Sequence, residues 1–87
     1  MRRRYVFSGT VQHVGFRYRA VTAASKLNIT GWIQNLSDGR VVMEAQGEKD
    51  ALDSLAAGLL ETRYGKIETA YTEIREEEDT GKFSVRF

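Results

Sequence analysis

The chain has 87 residues, no cysteine, one histidine and a formal net charge of +1, so it has room for one domain, residues 1–87, that must rest on its hydrophobic core. A zinc or iron–sulfur site is excluded on donor count, and so slight a charge gives no ground for nucleic acid as a partner, because such binders present a strongly basic patch. The opening Met1-Arg2-Arg3-Arg4-Tyr5 is positive but is followed by no apolar stretch of about 7–15 residues, and no run of about 20 apolar residues occurs anywhere. The expectation is no signal peptide, no membrane span and a cytoplasmic location. Arg2 to Arg4 have two readings: a solvated strand start, which is favoured, or a cluster that raises the anion-attracting field near the loop that follows.

From Tyr5 the residues alternate, with Tyr5, Phe7, Gly9 and Val11 on one face of a strand and Val6, Ser8 and Thr10 on the other; the aromatic face is predicted to be buried. After a short loop, residues 18–28 carry Ala20, Val21, Ala24 and Leu27 at helical spacing, which predicts a one-sided surface helix starting near Tyr18. Residues 30–36 and 40–46 read as a hairpin joined by the Asp38-Gly39 turn, its second strand alternating between a covered face (Val41, Met43, Ala45) and a wetter one (Val42, Glu44, Gln46). A second helix follows from the stripe Ala51, Leu52, Leu55, Ala56, Leu59 and Leu60, with Glu48 and Asp50 where the helix dipole favours acid. Arg63-Tyr64-Gly65 punctuates. Residues 67–75 read as a strand whose broken period implies a bulge or a sheet edge, residues 76–81 as a solvated charged loop, and Phe83, Val85 and Phe87 as a short last strand.

This order, β-α-β-β-α-β with a short extra strand, is the α+β, ferredoxin-like split βαβ sandwich, an antiparallel sheet with two helices on one face. Right-handed crossovers place the first strand inside the sheet beside the hairpin's second strand.

Where the first strand gives way to the first helix stands Gly9-Thr10-Val11-Gln12-His13-Val14-Gly15-Phe16-Arg17. A helix N-terminus leaves its first N–H groups without acceptors and carries partial positive charge, so this loop is an anion site. Arg17 offers a planar fork that can hold two phosphate oxygens; its other reading is a solvated or salt-bridged arginine. Asn35 ends the run Gly31-Trp32-Ile33-Gln34-Asn35, and its neutral carboxamide can hold a water beside a phosphate without repelling either.

Together, Gly-x-Val-Gln-x-Val-x-Phe-Arg over Gly9 to Arg17, and Gly-Trp-Ile-Gln-Asn followed by Gly39-x-Val41 and Gly47, resemble the two signatures of the acylphosphatase family. The resemblance spans nearly the whole chain. It implies metal- and cofactor-independent hydrolysis of the carboxyl–phosphate bond of a small-molecule acyl phosphate, with Arg17 as the phosphate-binding arginine and Asn35 as the residue that positions the nucleophilic water. The amides of His13, Val14, Gly15, Phe16 and Arg17 would complete the phosphate cradle. The chain offers no Cys and no evident Ser–His–acid set for nucleophilic catalysis, so positioning and charge stabilisation, with a substrate phosphate oxygen taking the water's proton, is the consistent mechanism.

His13 departs from the family's usual glycine. His visits positive φ at tolerable cost, and its ring either points to water, the favoured reading, or adds charge beside the phosphate when protonated. The rival from another class is a non-catalytic anion-binding module of the same topology. RNA readers stack bases on sheet aromatics, whereas here the third strand has none and Tyr5 and Phe7 are expected beneath the helices. A further rival turns the same site to carbamoyl phosphate or a protein-bound acyl phosphate. The chain is read as a monomer.

Overall fold

The computed structural model describes residues 1–12, 15–61, 66–78 and 81–87, with only the backbone of residues 70 and 71. The elements are β1 (Arg2–Gly9), α1 (Phe16–Lys26), β2 (Thr30–Asn35), β3 (Val41–Gln46), α2 (Lys49–Leu60), β4 (Ile67–Arg75) and β5 (Phe83–Val85). They form one five-stranded sheet in the order β4-β1-β3-β2-β5. As expected, β1 lies inside the sheet beside β3, and β2 and β3 form the hairpin, with Asn35 opposite Val41.

One face carries the helices. Tyr5, Phe7, Ile33, Val41, Met43 and Ala45 from the sheet meet Phe16, Ala20 and Ala24 of α1 and Leu52, Leu55 and Leu59 of α2, all of them buried. Tyr5 and Phe7 stack at 5.9 Å between ring centroids, and Phe7 meets Phe16 edge-on at 5.1 Å. Each fully buried ring of this kind contributes about 1.5–3 kcal/mol of transfer free energy. Phe16 is the first residue of α1, so its burial fixes where the helix begins, two residues ahead of the Tyr18 start that periodicity predicts. Periodicity missed this because the turn of helix that includes Phe16 and Arg17 has only one apolar residue facing the core.

Of three further expectations, two change and one is met in both its forms. The sheet is mixed: β5 runs parallel to β2, with Gly31 opposite Phe83 and Ile33 opposite Val85. β4 ends at Arg75 beside Arg2, at the sheet end where β2 begins. The Gly31 N–H donates to the Lys82 carbonyl at 3.1 Å, so the last strand enters at that same end and can only run with β2. Second, residues 67–75 are both things that the broken period implied, an edge strand and a bulged one, because Val6 pairs with Tyr71 and Phe7 with Thr69, leaving Ala70 as the extra residue.

Third, the N-terminal arginines are ion-paired rather than simply solvated, and they do not lie near the loop. Arg2 has 0% of its surface exposed; its Nε donates to Glu44 Oε1 at 2.9 Å and lies 3.5 Å from Glu78. Arg4 takes the other Glu44 oxygen at 2.9 Å, and Arg3 pairs with Asp53 at 2.6 Å. They stand at the start of β1, whereas the loop follows its end. The 76–81 segment is likewise engaged where it is described, Glu77 holding the Met1 amine at 2.8 Å and the Glu78 N–H donating to Gln46 Oε1 at 2.8 Å.

Candidate active site

The site forms at the opposite end of the sheet, where β1 runs out, α1 begins and β2 ends. Gly9 has φ +93°, and a Cβ there would collide with the Lys66 carbonyl oxygen, which instead accepts the Thr10 N–H at 2.8 Å. Only glycine lets the chain leave the sheet so close to that backbone. Three residues after Gly9, Gln12 braces the loop: its Nε2 donates to the Leu36 carbonyl at 2.9 Å and the Arg40 carbonyl at 3.2 Å. The loop is thereby tied to the β2–β3 turn, next to Asn35.

Gly15 caps α1 in the left-handed region, φ 73° and ψ 18°, and offers no side chain to the first amides of the helix. The first intrahelical bond runs from the Arg19 N–H to the Gly15 carbonyl at 3.0 Å, so the amides of Phe16, Arg17 and Tyr18 precede the ladder and have no acceptor within it. The first turn carries no acidic residue, which leaves the positive end of the helix dipole unopposed.

Arg17 lies in this first turn, half-buried. Among the described residues it forms no ion pair, and its guanidinium carbon stands 5.5 Å from the centroid of the Phe87 ring. The salt-bridged reading of Arg17 therefore finds no partner among the described residues. Asn35 closes β2, and its buried Oδ1 has no hydrogen-bond partner among the described residues. An orphaned buried carbonyl oxygen carries a desolvation cost of about 1–3 kcal/mol, and such groups call for a water or ligand.

Both residues line one cavity of about 430 Å³, together with Val11, Gln12, Gly15, Phe16, Tyr18, Val21, Val85 and Phe87. No acidic side chain is among these lining residues. Of the residues that the sequence nominates, Gly15, Phe16, Arg17 and Asn35 come together; His13 and Val14 lie outside the described residues. Phe16 turns its ring into the core against Phe7. Sequence reasoning quoted Gln12 as part of a motif but gave it no task, and it missed Tyr18, Val21, Val85 and Phe87. Val21 carried a usable signal, four residues after Arg17 and so on the same helix face. Val85 and Phe87 carried none, because their place depends on which sheet edge β5 joins.

Fold and cavity together define a ferredoxin-like domain in which the N-terminus of α1, Arg17 and Asn35 line one cavity. The acylphosphatase family model matches residues 3–86. An acylphosphatase of Methanospirillum hungatei is 40% identical over 83 residues, 93% of this chain and 91% of that protein. Among solved structures, the acylphosphatase of Coxiella burnetii superposes with a TM-score of 0.88 at 35% identity, covering 98% of this chain and 90% of that one. That of Bacillus subtilis superposes with a TM-score of 0.86 at 31% identity, covering 99% and 98%. The chain belongs to the acylphosphatase family, hydrolases that act on acyl phosphates.

Proposed function

We propose that in this chain the phosphoryl group of an acyl phosphate sits between Arg17 and the free amides of the α1 N-terminus, and that Asn35 holds the attacking water. The observation that carries this reading is the buried Asn35 Oδ1, which has no partner among the described residues, in a cavity also lined by Arg17, which forms no ion pair among them. Oδ1 accepts one hydrogen of the water and aims its oxygen at phosphorus. The new P–O bond forms as the bond from phosphorus to the carboxyl oxygen breaks, and the electron pair leaves with the carboxylate. A non-bridging phosphate oxygen takes the water's other proton, so the products are a carboxylate and inorganic phosphate. The leaving group is a weak base and needs no general acid.

Electrostatics sets which residue types can serve. Two unit charges about 4 Å apart interact by about 4 kcal/mol at an effective dielectric near 20. Arg17 therefore gains that order of energy from the phosphate, and a carboxylate at position 35 would forfeit as much. A carboxamide orients water at no such cost. The guanidinium and amides are fixed before substrate arrives, so little reorganisation accompanies the transition state.

The reading extends to a metal-independent, cytoplasmic monomer. It is supported by a charge balance met with protein groups alone, by a cysteine-free composition, and by an edge strand β4 that bears Glu68, Glu73 and Arg75, charges of the kind that discourage edge-to-edge pairing. No helix among the described residues is long and apolar enough to cross a membrane. The test is phosphate release from benzoyl phosphate with and without a chelator. Equal turnover is expected; loss of turnover in chelator, restored by a divalent cation, would overturn the metal-independent mechanism.

A further inference from the structure

The second helix is poorly finished by its own residues. The last turn of α2 carries no basic side chain, its cap residue Glu61 is extended (φ −78°, ψ 125°) rather than left-handed, and the Glu61 N–H reaches the Gly58 carbonyl at a long 3.3 Å. The final carbonyls of a helix need donors and carry partial negative charge. Arg19 of α1 meets both needs from across the helix pair: its Nη2 donates to the Gly58 carbonyl at 2.8 Å and to the Glu61 carbonyl at 2.7 Å. Hydrogen bonds from an ionised donor are roughly twice as strong as neutral ones.

The same residue starts the first helix. The Arg19 N–H makes the first intrahelical bond of α1, to the Gly15 carbonyl, so the amides of Phe16, Arg17 and Tyr18, which have no acceptor within the helix, immediately precede it. That turn has few other anchors. Gly15 offers no side-chain cap, Tyr18 is 76% exposed and Arg17 forms no ion pair among the described residues, which leaves the buried Phe16 ring and the Arg19 guanidinium to fix it. Residues two apart on an α-helix project about 200° from one another, so Arg19 grips α2 while Arg17 lines the cavity on the other side.

We propose that Arg19 is a positioning residue for the phosphate site: by bolting the first turn of α1 to the C-terminal end of α2, it holds the first amides of α1 and the Arg17 guanidinium in the arrangement that receives a phosphoryl group. The proposal rests on the phosphate-end assignment above. Those groups hold the phosphoryl group in the ground state and the transition state alike, so a loosened turn weakens both equally, which raises KM and leaves kcat.

Arg19→Met keeps the apolar stem and removes both donated bonds. With benzoyl phosphate as substrate and inorganic phosphate as inhibitor, KM and the inhibition constant are expected to rise together by about fivefold, as for a turn in place about a fifth of the time, with kcat within about twofold. Arg19→Lys keeps a donor within reach of the same carbonyls; it is the milder form should Arg19→Met fail to fold, and a rise of about twofold is expected. Arg3→Met is the control, because it removes the same charge and breaks a different tie to α2, the 2.6 Å pair with Asp53; both constants should stay near those of the unaltered enzyme. The effect of Arg19→Met should also survive about 1 M NaCl, which screens a remote charge but does not restore a displaced turn. A fall in Tm with both constants unmoved would make Arg19 a cap for α2 and nothing more, and an equal rise in Arg3→Met, or a rise that vanishes in salt, would also overturn the proposal. Failure of the underlying assignment looks different: phosphate inhibition would then be unmoved in Arg17→Lys as well.

Discussion

Two arginines at opposite ends of the same sheet show how one side chain is made structural or functional. Arg2, at the start of β1, is wholly buried, with Glu44 at 2.9 Å and Glu78 at 3.5 Å. Arg17, at the start of α1, is half-buried, has no ion pair among the described residues and borders a cavity. Intrinsic chemistry is identical. What differs is the charge that each neighbourhood supplies: carboxylates from β3 and the segment after β4 around Arg2, and a carboxamide, an aromatic ring and free amides around Arg17. A cation whose charge is already balanced at home holds the fold, and one with no ion pair among the described residues is, in the function proposed above, left to hold a ligand.

The largest expected effect breaks the structural end. Glu44→Ala leaves Arg2 buried with Glu78 as its one ion-pair partner among the described residues, beside a hydrogen bond to Gln46; removing one partner of a buried pair costs roughly 3–5 kcal/mol, and the remaining contacts argue for the lower figure. A fall in Tm of about 15 °C follows for a chain of this size. The effect should depend on pH. Burial pushes the Glu44 carboxyl up, but hydrogen bonds from Arg2 and Arg4 and the charges of Arg2 and Arg75 outweigh it and hold the carboxyl below its ordinary value. A depressed folded value means that the stabilisation is present above the unfolded value, about 4.3, and is lost as pH falls through the folded one. Melting curves of both proteins should therefore converge in acid, and a Tm gap that persists undiminished at pH 3 would contradict the clamp.

The matching change at the other end is smaller in free energy and opposite in kind. Arg17→Lys keeps the charge but loses the two-pronged geometry, and a fall of about a hundredfold in kcat/KM is expected, as for losing one transition-state hydrogen-bond donor. Its Tm should stay within a few degrees, since no ion pair among the described residues is broken. A large loss of stability with activity retained would show that Arg17 belongs with Arg2.

Much of this contrast was hidden in the sequence. The alternation of Tyr5 and Phe7, the leucine stripe of α2 and the Asp38-Gly39 turn were legible because each is a local pattern whose period or turn chemistry is set within a few residues. The pairing of Arg2 with Glu44 was not, because it joins residues 42 positions apart on neighbouring strands and depends on register. The parallel direction of β5 depended on where the chain emerged after β4, and with it went the far wall of the cavity. Arg17 and Asn35 were nominated by motif, but nothing in their spacing says that they meet. They meet because a helix that starts after β1 and a strand that returns to β3 expose their ends at the same edge of the sheet.

The central claim is a division of labour, Arg17 and the α1 amides for the phosphate and Asn35 for the water, and Asn35→Ala tests it most directly when turnover and inhibition by inorganic phosphate are measured on the same preparation. Releasing an oriented water predicts a fall in kcat on the order of a hundredfold, with the inhibition constant for phosphate within about threefold of the unaltered enzyme. If phosphate inhibition weakens as much as turnover falls, Asn35 is a binding residue and the division of labour is wrong.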